Sequence, residues 1–170
     1  MDLKDYIRDV PDFPIEGILF RDITPLLSAP EAFRHAVDRF LDHYSWDNID
    51  MVLGIESRGF LFAAPLAYLF EAPLIPVRKE GKLPFRTNKV SYSLEYGESS
   101  LEMHTDAVAA GHRVLLVDDL LATGGTMAAA SRLVEQAGGE VAGVAVVVEL
   151  SDLDARSRLR GYDVFSLVTY

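Results

Sequence analysis

The sequence predicts an α/β domain with a mostly parallel sheet and helices on both of its faces. Three short runs of apolar, largely β-branched residues occur at 51–55, 114–117 and 141–148. Such runs are typical of strands that are buried on both faces of a sheet. Stretches with helical spacing lie between them, and strands that alternate with helices form parallel sheets. A length of 170 residues fits a single domain that spans 1–170.

The first elements are the least regular. Residues 2–9 have the spacing of a short amphipathic helix, and Pro11, Pro14 and Gly17 then break that pattern. We expect an irregular segment from there to about Asp22, since proline and glycine interrupt regular structure.

A helix, a strand and a second helix are predicted next. Proline near the first turn favours a helix that begins at Pro30, and apolar side chains follow at helical spacing up to Tyr44. A buried strand over 51–55 leads into an apolar helix that ends near Phe70. Pro65 lies inside this second helix and is expected to kink it or to reset its start.

A long polar connector follows the strand predicted over 74–77. Residues 79–100 are rich in charge, glycine, proline and serine and show little helical period. Connectors of this length inside a compact domain are usually functional. Within it, Val90 to Tyr96 is predicted as a strand arm.

The last third of the chain continues the alternation of strands and helices. Gly138 and Gly139 end a helix there, and the spacing of Ser151 and Asp154 predicts an N-terminal cap for a short one. The predicted elements are a strand over 113–117, a helix over about 126–137, a strand over 141–148, a short helix over 151–161 and a strand over 163–168.

Composition narrows the class of protein. Hydrophobic residues make up 49% and charged residues 25% of the chain, as in globular proteins, and there is no cysteine for a disulfide or a thiolate site. The formal net charge of -10 argues against a nucleic-acid partner. No apolar run is long enough to cross a membrane, and the first residues lack the apolar core of a signal peptide. A cytoplasmic protein without a membrane partner is therefore expected.

The stretch from Arg113 to Thr126, RVLLVDDLLATGGT, carries the most chemical information. An apolar strand runs into two adjacent carboxylates, Asp118 and Asp119. Thr123-Gly124-Gly125-Thr126 then opens a helix, and glycines and hydroxyls at a helix start form a cradle for anions. Taken singly, the acidic pair is as often a helix cap, and a glycine pair is more often a turn. Together they predict a ligand with both a phosphate and a neutral diol, as in a ribose 5-phosphate.

A second strand end repeats this arrangement. The 51–55 strand is followed by Glu56-Ser57-Arg58-Gly59, so a serine, an arginine and a glycine begin the next helix. In doubly wound sheets, ligands bind outside the carboxyl ends of the strands. Two anion sites at that edge, together with the basic residues between 78 and 89, predict a ligand with phosphates at both ends. A surface ion pair at Arg58 and a solvated basic loop remain alternatives.

Several segments, in order, resemble the adenine phosphoribosyltransferase family, which belongs to the type I phosphoribosyltransferases. They cover nearly the whole chain. Two positions differ from the family pattern: Glu56 stands where aspartate is expected, and Phe85 where glycine is common. The matching segments are Phe13-Pro14, GILFRDITPLL from Gly17, Ser57-Arg58-Gly59-Phe60, Arg78-Lys79 with Gly81-Lys82-Leu83-Pro84, Tyr92-Ser93-Leu94-Glu95-Tyr96-Gly97, and VDDLLATGGTM.

The resemblance implies a fold, a reaction and a set of partners. The fold is the type I phosphoribosyltransferase fold, with an N-terminal hood over about 10–25 and a mobile catalytic loop over about 79–100. The reaction joins adenine and phosphoribosyl diphosphate to give AMP and diphosphate, in purine salvage, with Mg²⁺. A homodimer is also implied, and the hood and the region of Arg78 are expected to contribute to its interface.

The resemblance also implies a role for each matching residue. Asp118 and Asp119 would hold the ribose hydroxyls, directly or through water bound to Mg²⁺, with no direct protein ligand to the metal. Glu95 would be the general acid toward the purine, Arg58 would assist catalysis, and Tyr96 would close over the ribose. The 5′-phosphate would lie on Ala122, Thr123, Gly124, Gly125 and Thr126, the diphosphate near Ser57, Arg58, Arg78, Lys79 and Lys82, and adenine under Leu19, Phe20 and Arg21.

The sequence also bears on two other functions. Phosphoribosyltransferases for 6-oxopurines typically carry a lysine on the strand after the phosphate helix, and the strand over 141–148 has none. Ligand-sensing regulators with this fold usually add a DNA-binding domain, for which the chain has neither the length nor the charge. Turnover with adenine distinguishes all three.

Overall fold

The computed structural model describes residues 1–93 and 97–170, and nine strands and four α-helices lie in this part of the chain. The strands are β1 (Arg8–Pro11), β2 (Leu19–Asp22), β3 (Met51–Ile55), β4 (Leu74–Lys79), β5 (Thr87–Ser93), β6 (Glu98–His104), β7 (Arg113–Leu121), β8 (Glu140–Glu149) and β9 (Val164–Thr169). The helices are α1 (Thr24–Ser28), α2 (Pro30–His43), α3 (Gly59–Leu69) and α4 (Gly125–Gln136).

Seven of these strands form one sheet in the order β5-β6-β4-β3-β7-β8-β9. Five neighbouring strands run parallel to one another: β4, β3, β7, β8 and β9. Strands β5 and β6 form an antiparallel hairpin, which extends the sheet beyond β4. Strands β1 and β2 pair with each other in a separate two-stranded sheet. The predicted fold class, mostly parallel with helices on both faces, is therefore confirmed.

The core lies on both faces of the large sheet because its central strands are apolar at nearly every position. On one face, Leu115 and Val117 pack in a cluster with Phe40 of α2 and Leu66 of α3. On the other face, their neighbours in β7 pack in a second cluster with Met127 and other residues of α4. Apolar side chains on both sides of a strand are what a doubly covered sheet requires.

The prediction for the N-terminal segment was wrong. Only residues 3–6 form a turn of 3-10 helix, which Asp2 caps by accepting a hydrogen bond from the backbone N–H of Lys4 at 2.9 Å. The segment that was expected to be irregular contains the β1–β2 hairpin. None of the residues of its strands is buried, and their side chains lack the alternation of apolar and polar residues that marks a half-buried strand.

Three further elements differ from the prediction. Helix α3 begins at Gly59 and continues past Pro65, so the proline does not reset the start of the helix. The connector over 79–100 contains β5 and the start of β6, which pair as a hairpin, and the final residues of its predicted strand arm, 94–96, lie outside the described part. Strand β7 runs four residues further than predicted, because Asp118, Leu120 and Leu121 still pair with β8.

The short helix predicted over 151–161 is replaced by two 3-10 turns. The hydroxyl of Ser151 donates to the carbonyl of Tyr170 at 2.7 Å, so it does not cap a helix. Asp154 adopts a left-handed backbone conformation with φ of 49°, which interrupts a helix. The remaining predicted helices and strands are confirmed with small shifts at their ends.

Candidate active site

A cavity of about 500 Å³ opens at the carboxyl ends of β3, β4 and β7. It is where ligands bind in open α/β sheets, since neighbouring parallel strands end at the same edge. Most of the predicted site residues meet there, although they come from three separate parts of the chain. The cavity is lined by Ser57, Arg58, Lys79, Lys82, Asp118, Asp119, Ala122, Thr123, Gly124, Gly125 and Thr126, and also by Glu56, Tyr92, Ser99, Leu101 and Met127.

Two acidic side chains form the floor of this cavity. Asp118 is 9% and Asp119 6% exposed, and both belong to β7 rather than to a loop after it. One carboxylate oxygen of Asp118 accepts the backbone N–H of Asp119 at 2.9 Å. Strand pairing with β8 fixes the backbone here, so the carboxylates are held rigidly.

Burial raises the pKa of Asp118 well above its ordinary value, and the negative charge of Asp119 raises it further. The guanidinium of Arg58 acts in the opposite direction and lowers it. Arg58 also forms an ion pair with Asp119 through its Nε. One cation, Arg58 from the end of the neighbouring strand β3, thus partly offsets the negative charge of the two acids.

Gly59 permits this close arrangement of β3 and β7. A Cβ at this position would lie 2.8 Å from the carbonyl oxygen of Val117 and 3.0 Å from a carboxylate oxygen of Asp118. Separations under 3 Å to backbone are not tolerated without movement. The glycine therefore allows α3 to begin directly beside the acidic pair.

The loop after β7 leads into the N-terminus of α4, which has twelve residues. Gly124 caps this helix with φ of 81°, in the left-handed region that favours glycine. A Cβ on Gly124 would also lie 3.0 Å from the carbonyl oxygen of Ala155. The backbone N–H groups of the first turn have no partner within the helix, and the helix dipole adds positive potential, so the loop can bind a phosphate.

Tyr92 of β5 closes the other side of this loop. The hydroxyl of Thr126 donates to the hydroxyl of Tyr92 at 3.2 Å, and the ring carbons of Tyr92 lie beside Gly125. The sequence showed Tyr92 only as part of a matching segment and gave it no role. Its place in the site follows from the β5–β6 hairpin, of which the sequence predicted only a strand arm over Val90 to Tyr96.

Glu56 gathers the basic residues at the mouth of the cavity. Its carboxylate accepts hydrogen bonds from Lys82 Nζ at 2.8 Å, from Arg78 Nε and Nη2 at 3.3 and 3.2 Å, and from the backbone N–H of Lys79 at 3.1 Å. Burial would raise the pKa of Glu56, but the hydrogen bonds from Lys82, Arg78 and the backbone of Lys79 outweigh it and lower that pKa to about 2.

Two residues that were predicted to contact diphosphate are paired with this carboxylate instead. In the free protein, Arg78 and Lys82 are both paired with Glu56, and Arg78 does not line the cavity. Lys79 has only its backbone N–H on Glu56, and its side chain lines the cavity. Charge pairing between distant side chains cannot be predicted from the order of residues along the chain.

The predicted hood residues lie on β2, outside the lining of the cavity. Phe20 connects the hood to the cavity, because the guanidinium carbon of Arg58 lies 5.6 Å from the centre of the Phe20 ring. Phe20 also packs edge-to-face on Phe13, with 5.1 Å between ring centres. Leu19 is nearly half exposed, and the side chain of Arg21 pairs with Asp9. Arg21 can therefore meet a base only through its backbone.

Two predicted residues, Glu95 and Tyr96, lie outside the described part of the chain. Within the described part, no group of three or more acidic or histidine side chains is placed to hold a metal ion. Asp118 and Asp119 supply two carboxylates, and Mg²⁺ usually binds through one or two carboxylates together with the phosphates of its substrate. The donor set at the floor of the cavity fits that mode of binding.

Comparison with known proteins identifies the family. The phosphoribosyl transferase domain matches residues 26–168. The adenine phosphoribosyltransferase of Solibacter usitatus is 57% identical over 169 residues, which is 99% of this chain and 98% of that protein. The corresponding enzyme of Desulfosudis oleivorans is 54% identical over 170 residues, which is all of this chain and 98% of that protein.

A solved structure leads to the same family. The crystal structure of adenine phosphoribosyltransferase from Thermoanaerobacter pseudethanolicus has a TM-score of 0.95 and 48% identity, covering 99% of this chain and 98% of that one. The Saccharomyces cerevisiae enzyme, solved with an imino-altritol bisphosphate and adenine, has a TM-score of 0.92 and 42% identity, with 97% and 96% covered. With its glycine-opened helix, acidic pair and basic cluster at one sheet edge, the chain belongs to the phosphoribosyltransferase family, among the adenine phosphoribosyltransferases.

Proposed function

We propose that the chain transfers the 5-phosphoribosyl group from phosphoribosyl diphosphate to adenine and gives AMP and diphosphate, a step of purine salvage. One observation carries the proposal: an anion-binding helix start, a carboxylate pair and a basic cluster share a cavity of about 500 Å³. A ligand with a phosphate, a diol and a diphosphate requires these three features in this order. The yeast relative was solved with adenine, which supports the choice of base.

Each part of the sugar ligand has a matching group. The 5′-phosphate binds the loop from Ala122 to Thr126, whose free N–H groups and helix dipole attract anions. The ribose diol donates its hydroxyl hydrogens to Asp118 and Asp119. The diphosphate binds near Ser57, Arg58 and Lys79, and it competes with Glu56 for Arg78 and Lys82.

The chemistry follows from the charge that develops at C1′ as diphosphate leaves. The sugar becomes cationic, and the buried carboxylates of Asp118 and Asp119 lie beneath it. Arg58, Lys79 and Lys82 balance the negative charge of the leaving oxygens, which is usually the largest contribution in such a step. The carboxylates of Asp118 and Asp119 would lie near a Mg²⁺ ion held by the substrate, and such an ion would supply further positive charge for the diphosphate.

Glu95 supplies the proton chemistry at the purine ring in this proposal. A carboxyl group on a loop that closes over the site can hydrogen-bond a ring nitrogen when the base arrives. Proton transfer of this kind contributes typically ~10²–10⁴-fold to rate. The segment over 79–100, with Tyr96, serves as the lid that excludes water, since water would otherwise hydrolyse the activated sugar.

Limited proteolysis tests the lid. Cleavage within residues 80–98 should be fast in the free protein and slow when phosphoribosyl diphosphate and Mg²⁺ are present. Adenine alone provides the control, because it does not bridge the phosphate sites. Equal cleavage with and without the sugar ligand would contradict the lid.

A homodimer is part of the proposal. Helix α3 is apolar around most of its circumference, yet Leu61, Tyr68 and Leu69 are exposed, Tyr68 at 82%. Leu74, at the start of β4 and five residues after α3, is exposed as well. An apolar helix is normally covered on all sides, so a second copy of the chain is the expected occupant. Sedimentation should give a dimer and Tyr68→Lys a monomer; a wild-type monomer would refute the proposal.

No helix within residues 1–93 and 97–170 has the length and apolar character needed to cross a membrane. A cytoplasmic location, with substrates that diffuse freely and no membrane or nucleic-acid partner, remains part of the proposal.

Base selectivity is the decisive test of the function. Adenine offers a donor at N6 and an acceptor at N1, whereas 6-oxopurines reverse both. Backbone groups of the hood have a fixed order of donors and acceptors, and such sites reject mismatched analogues by ~10⁴–10⁵. Strand β8 carries no lysine for a purine O6, and Glu149 at its end is taken up by Arg156 and Ser166.

The measurement is kcat/KM for adenine, hypoxanthine and guanine at saturating phosphoribosyl diphosphate and Mg²⁺. We expect adenine to be preferred by about 10⁴-fold. Hypoxanthine within about tenfold of adenine would overturn the choice of base, since a fixed hydrogen-bond pattern cannot be that permissive. It would leave the phosphoribosyl site intact.

A further inference from the structure

The hood hairpin presents two different faces. In the β1–β2 register, Asp9 lies opposite Arg21, and Val10 lies opposite Phe20. Because side chains alternate along a strand, Phe20 and Arg21 point to opposite sides. Phe20 meets Arg58 at the cavity, so the side chain of Arg21 is turned away from it.

Arg21 is held on this outer side by an aromatic ring. Its guanidinium carbon lies 3.7 Å from the centre of the Tyr170 ring, and its Nη1 pairs with Asp9. Lys4 Nζ lies 5.0 Å from the centre of the same ring. A stacked guanidinium is a strong and directional contact for an aromatic ring.

Tyr170 itself is fixed to the large sheet. Its backbone N–H donates to the carbonyl of Glu149 at 2.9 Å, and its carbonyl accepts both the backbone N–H and the hydroxyl of Ser151, at 2.9 and 2.7 Å. The ring also packs against the core cluster beneath α2 and α3. The stack therefore links the hood to the ends of β8 and β9.

Such a link matters because no residue from 8 to 22 is buried, and the nearest core residues are Ile7 and Ile23, which flank the hairpin. Strands β1 and β2 pair only with each other, and two-stranded hairpins are marginally stable alone. Hydrogen bonds weaken steeply when donor and acceptor are misaligned. A hood that tilts would thus lose its backbone contacts to a base, while the acidic pair and the phosphate loop, which belong to the large sheet and α4, would stay in place.

We propose that Tyr170 is a positioning residue for the base: its ring holds Arg21 and thereby sets the height and tilt of the β2 backbone over the cavity. The proposal rests on adenine as the accepted base and adds a residue far from the reacting atoms. It assigns Arg21 two separate tasks, with the backbone toward the base and the side chain toward the anchor.

Three variants of Tyr170 test this role. Tyr170→Ala and Tyr170→Leu remove the aromatic face, whereas Tyr170→Phe keeps it. We expect KM for adenine to rise about tenfold in the Ala and Leu variants, which is what loss of one good cation–π contact allows. KM for phosphoribosyl diphosphate should stay within about twofold, because uniform binding of the sugar is not touched. The Phe variant should restore wild-type values.

Tyr162→Ala is the matched control. It removes a ring that is likewise partly buried and whose hydroxyl donates to Glu135, in the last turn of α4, so it should leave KM for adenine unchanged. An unchanged KM for adenine in the Ala and Leu variants would overturn the proposal. So would equal rises for both substrates, which indicate a general loss of structure.

Hydrogen exchange separates this proposal from the question of function. In the free protein, amides of residues 8–22 should exchange faster in Tyr170→Ala and Tyr170→Leu than in the wild type and Tyr170→Phe. Unchanged exchange refutes the anchor even where wild-type turnover with adenine is normal. Absent wild-type turnover with adenine refutes the function, while faster exchange in the two variants still supports the anchor.

Discussion

Asp119→Asn is the sharpest perturbation of the sugar site, since it changes one charge and almost no volume. Asp119 is 6% exposed, so its carboxylate is screened by little water. The amide that replaces it keeps one oxygen as an acceptor for a ribose hydroxyl. What is lost is the charge assistance, and the amide nitrogen cannot accept a hydrogen bond at all.

The size of the effect follows from hydrogen-bond energies. A hydrogen bond to a charged group contributes about 1.5–3 kcal/mol and a neutral one about 0.5–1.5 kcal/mol, so each weakened contact costs about 1–1.5 kcal/mol. Asp119 shares the two hydroxyls with Asp118, so the loss covers one to two contacts, or about 1–3 kcal/mol. This corresponds to a fall of roughly 5- to 10²-fold in kcat/KM for phosphoribosyl diphosphate. The fold should survive, because the variant also removes a like charge from beside Asp118.

The assay is steady-state conversion of adenine to AMP, with thermal unfolding measured on the same samples. We expect Tm to change by no more than about 3 °C, the shift that ~1 kcal/mol gives in a chain of this length. Asp163→Asn is the control: this exposed acid pairs with His43, away from the cavity. A kcat/KM for Asp119→Asn within about threefold of the wild type would refute the assignment of the diol, since even one charged contact exceeds that.

Three further outcomes are expected. The raised pKa of Asp118 favours its protonated form in the folded state, so the free energy of unfolding falls as pH rises from about 3.8. In thermal unfolding, Asp118→Asn should therefore be more stable than the wild type at pH 8 but not at pH 3. Gly59→Ala should reduce turnover strongly, because the new Cβ pushes α3 away from the acidic pair. Gly161→Ala is the control: its Cβ would face open space, so it should lower stability through its φ of 94° and leave turnover unaltered. The pKa of Glu56 is lowered to about 2, so its contribution to stability is present above pH 4.5 and is lost as pH falls toward 2. In urea unfolding at pH 7, Glu56→Gln should be less stable than the wild type by about 1–3 kcal/mol. Equal stability at pH 7 would contradict the ion-pair cluster.

The parts of the fold that the sequence predicts are those with a strong local signal. Strand β3 is apolar at every position and α2 has clear helical spacing, so both were placed within a residue or two. The β1–β2 hairpin has no such signal, because neither strand has a buried residue and its pairing depends on residues about ten positions apart. The two acids of β7 look like the end of a strand, yet pairing with β8 carries the strand past them.

The same distinction applies to the site. Asp118, Asp119, Ser57 and Arg58 could be placed together because parallel neighbours β3 and β7 end at one edge. The partner of Arg78 could not be predicted, because it depends on a side chain 22 positions away. The orientation of Arg21 required the register of β2 against β1, which only the structure provides.

The order of the strands also explains why one ligand can use all of these groups. Along the sheet, β4 ends at Lys79, β3 leads to Ser57 and Arg58, and β7 carries the acidic pair before α4 begins. A ligand laid across these carboxyl ends meets cations, then carboxylates, then the glycine-opened helix. In the chain, however, β3 comes before β4 and β7 comes much later. In the proposed binding mode, the order of diphosphate, ribose and 5′-phosphate along the ligand matches the spatial order of the strands, and a permuted strand order would separate the charges that this mode needs side by side.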